Sequence, residues 1–460
     1  MDAQRKKIQH LYLRAGFGEM PARVRGKMKT DIHVLADELF REAEDIKPLD
    51  FLPKPNTNNN GKVGPLKILL MILRSQKEVE RLNLAWMERM VKREGQLRER
   101  MTFFWHNHFA TSVPFAWLMQ VQNNTIRKHA LGSFRKMLHA ISKDPAMIIY
   151  LNNQQNRKAQ PNENFAREVM ELFTLGIGNY TEKDVKEAAR AFTGWTVDGT
   201  GSFFFNEKQH DFEEKTVLGR TGKFNGEEII DLLLEQKQTA RFVCRKIYKE
   251  FVNQKPDEEI VAQLAKTFYE SDYDIERLMR VIFSSDWFYA EKNMGGRIVS
   301  PVEMLVRYRR LVGLEFTEEK HQLQLQKVLG QTLFFPPNVA GWKGGRNWID
   351  ASSLLVRLSL PKAMLDGSGP ELSAKPHFEE KEKEDPKKVK MTVRWKKLVD
   401  QLKDIPDDEI EDELFAALIQ APDKRIDREL VRSLINRSSR EKRIVSTAVA
   451  LMSLPEFQLV

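Results

Sequence analysis

Apolar residues along most of the chain recur every three to four positions, the spacing of one helix face. From Leu66 to Met90, the series Leu69, Leu70, Leu73, Val79, Leu82, Trp86 and Met90 keeps this spacing and predicts one long helix. The same pattern predicts helices over 115–142, 163–176, 181–193, 226–236, 238–252, 256–270, 273–284, 300–312 and 318–330. Pro65 and Pro145 sit where first turns begin, a position whose amide needs no helical partner. Thr181 with Asp184 three residues later predicts a reciprocal cap.

Alternating strand patterns are scarce. Gly201–Phe205 and Lys215–Leu218 predict one small hairpin across the polar residues between them. The fold expected is mainly α: a large multi-helix body over 1–365 with a β-hairpin insertion, and a C-terminal helical segment over 391–460 packing back on it. Between them, 366–390 reads as a charged linker, because Gly367-Ser368-Gly369-Pro370 is followed by a dense run of Glu and Lys. The asparagine-rich stretch 53–64 reads as a mobile loop. Leu278–Phe288 and Ala448–Phe457 echo one another, each an apolar helix ending in serine, then an acidic and an aromatic residue.

Composition narrows the class. Of 460 residues, 41% are hydrophobic and 30% charged, which excludes a multi-span membrane protein and a mostly disordered chain. His10 and Arg14 interrupt the apolar stretch after Arg5-Lys6-Lys7, so no signal-peptide core forms and a cytoplasmic location is expected. No apolar run is long enough for a transmembrane helix. Lys and Arg total 74 against 65 Asp and Glu, a net +9, and most of the excess lies between Arg74 and Lys143. These charges offer a face for nucleic acid or an anionic polymer, but they interleave with apolar helix positions as an ordinary solvated face does, and no nucleic-acid-binding motif accompanies them, which disfavours nucleic acid; the partner stays open, with an anionic or glycan polymer as the candidate. The single cysteine, Cys244, forms no intrachain disulfide and no cysteine-rich zinc site, leaving His, Glu and Asp as the available ligands or catalysts.

Several blocks are long and distinctive. They include Leu13–Gly18, Arg98–Met101, Trp105-His106-Asn107-His108-Phe109 through Ser112, Pro161–Gly176, Gly178–Glu182, Phe192–Trp195, His210-Asp211, Pro336–Trp342 and the terminal Ser453–Leu459. Together they resemble the uncharacterised bacterial family catalogued as domain of unknown function 1800, over nearly the whole chain. The resemblance implies little biochemistry; family members often carry an export signal.

Within these blocks, His106 and His108 are separated by two positions, so on a continuous helix they point about 200° apart. Met101, Phe104, Trp105 and His108 form one stripe, which places His108 on the buried side and His106 towards solvent. On the helix over 163–176, Phe165, Val169, Leu172 and Phe173 form the apolar face. Glu163, Asn164, Arg167, Glu168 and Glu171 gather opposite, with Glu163–Arg167 and Arg167–Glu171 four apart. Two close carboxylates beside an arginine can bind a divalent cation or separate into an acid and a base. His210 and Asp211 offer an imidazole and a carboxylate from a loop. With His106 and His108 they make a nitrogen and oxygen set suited to a divalent metal. Trp195 and Trp342 follow glycines, Trp348 lies in Gly344-Gly345-Arg346-Asn347-Trp348, and the three are candidate stacking surfaces for sugars or bases.

The functional expectation is a hydrolase-like enzyme, with or without metal assistance, acting on a polymer such as a glycan. Glu168, Glu171, His108 and Arg167 are its candidate catalytic residues, His106, His108, His210 and Asp211 its candidate metal ligands, and Trp195, Trp342 and Asn164 its candidate substrate contacts. The alternative is a non-catalytic binding or assembly protein; whether the chain is an enzyme stays open.

Overall fold

Helix-period patterning produces twenty-one α-helices among the described residues of the computed structural model, which are 3–53, 65–92, 95–372, 387–422 and 426–460. The stretch 54–64 and the charged run 373–386 lie outside them, so the mobile-loop and linker expectations fall largely outside as well. The long helix runs Pro65–Lys92 and buries Val79, Leu82, Trp86 and Met90. Asp144 caps the helix Pro145–Tyr150 through Met147 N–H, and Thr181 and Asp184 cap Glu182–Ala191 reciprocally. The helix expected over 115–142 is two, Ala116–His129 and Phe134–Ser142. It breaks because Ser133 turns extended and its side chain caps Lys136 N–H, starting a new helix.

The strands differ from the single hairpin expected. Trp195–Val197 pairs antiparallel with Phe203–Phe205, and Lys215–Val217 with Arg220–Gly222, so each predicted strand has a near neighbour for partner. The second pair closes on Leu218-Gly219, both left-handed, as a two-residue hairpin turn requires. A third sheet places Lys387–Val393 between Leu314–Phe316 and Ser368–Leu372, all antiparallel. Within the 366–390 stretch, Ser368–Leu372 and 387–390 are therefore strand, and Asp366 ends the helix Ala351–Asp366.

Two hydrophobic clusters fill the interior. One is built from residues 8–294, including Leu97, Met101, Phe104 and Trp105. The other joins Phe103, Trp86 and the 299–364 helices to Leu398, Ile410, Leu414, Leu451 and Phe457. The C-terminal segment thus builds about a third of the second core. Arg307 lies 3.9 Å over the Phe457 ring and donates to the Phe457 carbonyl at 3.1 Å. The two echoed segments share a design: Ile275–Ser284 and Arg440–Met452 each lead into a 3₁₀ turn that buries an aromatic residue, Phe288 and Phe457. No helix among the described residues is long and apolar enough to cross a membrane.

Candidate functional site

The helix Gln96–His108 touches both cores and holds the two histidines. It stays helical through His108, so the imidazoles diverge. Both are buried, which corrects the expectation of a solvated His106. Its Nε2 accepts the Phe334 N–H at 3.2 Å, and Trp86 and Phe334 flank the ring at 5.1 and 5.0 Å. Burial, and then the Arg127 charge, bring its pKa down to about 3. His108 Nε2 lies 3.2 Å from the Phe173 carbonyl, so this hydrogen-bond pattern assigns the proton to Nε2 and leaves Nδ1 bare. Burial, reinforced by Lys246, keeps His108 neutral.

The basic residues of the same region are largely internal scaffolding. Arg98, Arg100 and Arg127 are all buried. Arg98 donates to the Ala43 and Arg127 carbonyls at 2.5 and 2.8 Å, and Arg127 pairs with Glu99 at 3.0 Å. Trp86 Nε1 and Arg89 complete the Glu99 cradle at 2.9 and 2.7 Å.

The block expected as one helix over 163–176 is α over Asn164–Glu168 and then widens to a π-turn over Val169–Thr174. Thr174 Oγ1 donates back to the Val169 carbonyl at 2.7 Å, and Leu175 N–H reaches Met170 at 2.8 Å. Arg167 pairs with Glu163 at 3.1 Å as expected, but its second partner is Glu182 at 2.7 Å and not Glu171. Glu171 accepts from the Tyr180 hydroxyl at 2.5 Å. Burial, and then the neighbouring Glu171, raise the Glu168 carboxyl above the usual range. Asn164 is structural: its Nδ2 donates to the Leu151 carbonyl at 3.1 Å.

What this block presents to the rest of the molecule is its carbonyl end. The Leu172 carbonyl accepts from Lys246 at 3.3 Å, the Phe173 carbonyl from His108, and the Leu175 carbonyl from Gln238 at 3.0 Å. Side chains thus cap carbonyls that a helix end leaves unpaired. Gly176 ends the block at φ +80°, where a Cβ would lie 2.8 Å from the Phe242 ring.

His210 and Asp211 stand elsewhere. His210 is buried between Phe205 and Phe212, with Nδ1 2.8 Å from the Thr193 carbonyl. Asp211 pairs with Arg190 at 2.8 Å. Trp195 is buried against Phe192 and Phe203 and offers no open stacking face. The proposed ligands do not converge: among the described residues, no group of three or more His, Cys, Asp or Glu is placed to hold a metal ion.

A cleft of about 400 Å³ does open where the helices Gln96–His108 and Lys237–Phe251 meet the 340–348 loop. Asn107, His108, Lys246, Lys249, Glu250, Arg297, Trp342 and Trp348 are on its walls. Asn107 imitates a backbone segment: its Oδ1 accepts Trp342 N–H at 2.7 Å and its Nδ2 donates to the Trp342 carbonyl at 3.2 Å. Gly341 permits the approach, since a Cβ there would sit 2.3 Å from Asn107 Oδ1, and its φ is +73°. The clamp ties the histidine block to the Pro336–Trp342 block.

Below the cleft, Glu303 caps Pro301–Val312 through Ser300 N–H and pairs with Arg297 at 2.5 Å and Arg100 at 3.1 Å. Glu250 joins Arg100 at 2.6 Å. Lys246 differs. Its side chain is partly buried, it lies 5.1 Å over the Phe242 ring, and its hydrogen bond goes to a neutral carbonyl. Burial, and then Lys249, lower its pKa to about 8. Neither Glu168 nor Glu171 lines this cleft.

Of the candidates read from sequence, His108, Trp342 and Trp348 line the cleft. Lys246, Lys249, Glu250, Arg297 and Asn107 were missed. The first two look like the solvated side of an amphipathic helix, and only Asn107 lay inside a block already singled out. No curated protein and no solved structure matches the chain. The family model described as protein of unknown function (DUF1800) matches residues 10–459. With nearly the whole chain covered, the protein belongs to the DUF1800 family.

Proposed function

We propose that the protein binds an acidic polymer, an anionic glycan, in the cleft beside Asn107, Lys246 and Trp342. One observation carries this reading. Lys246 is partly buried beside a second lysine and has no carboxylate partner among the described residues. A desolvated, uncompensated cation is costly to the fold and becomes favourable when a ligand brings the anion. The volume suits a ligand segment of small-molecule size, and Asn347 and Gln254 on the same walls suit sugar hydroxyls.

Titration of polygalacturonate, followed by tryptophan fluorescence, tests it. Binding is expected to weaken steeply with added salt, and Lys246→Met to weaken it about tenfold. A neutral glucan binding equally well, or the absence of polygalacturonate binding, overturns the reading.

A hydrolytic version would act outside both recesses, on the acidic face of the 163–174 block, where the half-buried Glu168 carboxyl is raised by burial and then by Glu171. Release of reducing ends by the wild type and its loss in Glu168→Gln would support it. The metal-assisted form has no ligand cluster behind it among the described residues. A cytoplasmic location remains part of the proposal, and cell fractionation decides it.

A further inference from the structure

Resting on the anionic-glycan reading, we infer that the ligand is a linear chain that runs past the first cleft into a second recess, with Lys246 and Lys249 as its midpoint. The second recess has a volume of about 310 Å³ and includes Gly176, Ile177, Phe242 and Arg245 on its walls. Lys246 and Lys249 line both spaces, so the two are neighbours across one row of cations.

The row follows from helix geometry. Phe242, Lys246 and Lys249 are four and three residues apart on Lys237–Phe251 and share a face. From Gln238 to Glu250 that face runs ~18 Å at 1.5 Å per residue, several sugar rings long. The floor of the second recess is set by the left-handed Gly176, whose missing Cβ lets the Phe242 ring lie against the backbone. No carboxylate is among its lining residues. Arg245 reaches outward to Glu258 on the exposed side of the helix, and Ile177, 79% exposed, forms an apolar lip. An aromatic floor, an apolar lip and cations on the rim match a pyranose ring carrying a carboxylate or sulfate.

A single-stranded nucleic acid fits less well. It would need successive open aromatic faces, whereas Trp342 and Trp348 are 5% and 7% exposed and Phe242 alone floors the second space.

The experiment is titration of the full chain with short and long oligogalacturonides, in wild type and in Ile177→Glu, whose position is exposed enough to keep the fold. Wild type is expected to bind the long chain about tenfold more tightly than the short one. Ile177→Glu, with its melting temperature preserved, is expected to abolish that gain. If the short chain binds and length adds nothing, or if Ile177→Glu keeps the full gain, the two-recess path is overturned while the anionic-glycan reading stands. If neither chain binds, that reading falls and takes the path with it. Polyuridylate binding as tightly as the long oligogalacturonide overturns the assignment to glycan.

Discussion

The two sides of the helix Gln96–His108 handle charge in opposite ways. On one side, Glu99 is held by Arg89, Arg127 and Trp86, and His106 lies neutral between aromatic rings. On the other, Asn107 and His108 face a cleft where Lys246 and Lys249 outnumber the single lining carboxylate, Glu250. Both sides draw on polar residues from distinctive sequence blocks, so the letters alone do not separate them. The separation lies in whether the protein itself answers each charge. A sealed network specifies the fold, and a surplus at a cleft asks for a ligand.

The largest test acts on the sealed side. The folded pKa of His106, about 3, lies below its ordinary 6.5, so the unfolded chain binds more protons between those values. Stability is therefore complete above pH 6.5 and falls as pH drops, by on the order of 4 kcal/mol over the full window. Glu99, brought to about 2, adds stability above its ordinary 4.5 that is lost as pH falls towards 2, on the order of 3 kcal/mol. Urea midpoints measured from pH 8 to 4 should decline from about pH 6.5, and His106→Gln should make that decline shallower. An unchanged slope would mean that His106 is not a neutral buried group.

Next in size is the clamp between the two sides. Gly341→Ala drives a Cβ into Asn107 and strains a left-handed backbone, with an expected loss of roughly 2–3 kcal/mol. Asn107→Ala loses the two hydrogen bonds to Trp342 without a clash and should cost less, about 1–2 kcal/mol. Thermal melts check the order, and a red-shifted tryptophan emission should accompany both as the loop loosens. Equal melting temperatures for Gly341→Ala and wild type would show that the cleft wall is adaptable and not fixed.

Periodicity made the helices legible, and the stripe Met101, Phe104, Trp105 and His108 was read correctly because a 3.6-residue repeat needs no tertiary information. The reciprocal cap at Thr181 was legible for the same local reason. The break at Ser133 had a local signal in Gly132-Ser133 that the apolar repeat around it outweighed. The hairpins were misassigned although Asp198-Gly199 and Leu218-Gly219 are turn pairs, because the second strands lay in segments with little alternation. The π-turn was not legible, since it depends on Thr174 bonding back to Val169 and on Gly176 meeting Phe242. The cleft was hidden for a related reason. Lys246 and Lys249 are ordinary members of an amphipathic helix until the Leu172 carbonyl and the 340–348 loop close around them.

The smallest expected effect on stability separates the two kinds of charge most cleanly. Lys246 forms no ion pair among the described residues, and burial works against its ammonium. Lys246→Met keeps the aliphatic stem against Phe242; it gives up the long 3.3 Å hydrogen bond to the Leu172 carbonyl but also removes the desolvated charge, and with the two offsetting, stability should stay within about 0.5 kcal/mol of wild type. Its acidic counterpart is Glu171→Gln, whose amide oxygen can still accept from Tyr180 and whose stability should change by as little. The two should part in polygalacturonate titrations: Lys246→Met weakens binding, and Glu171→Gln, which lines neither recess, leaves it alone. A reversed pattern, with Glu171→Gln weakening binding and Lys246→Met inert, would move the ligand to the acidic face of the 163–174 block. The charge that matters would then be the one that spacing along the chain first singled out.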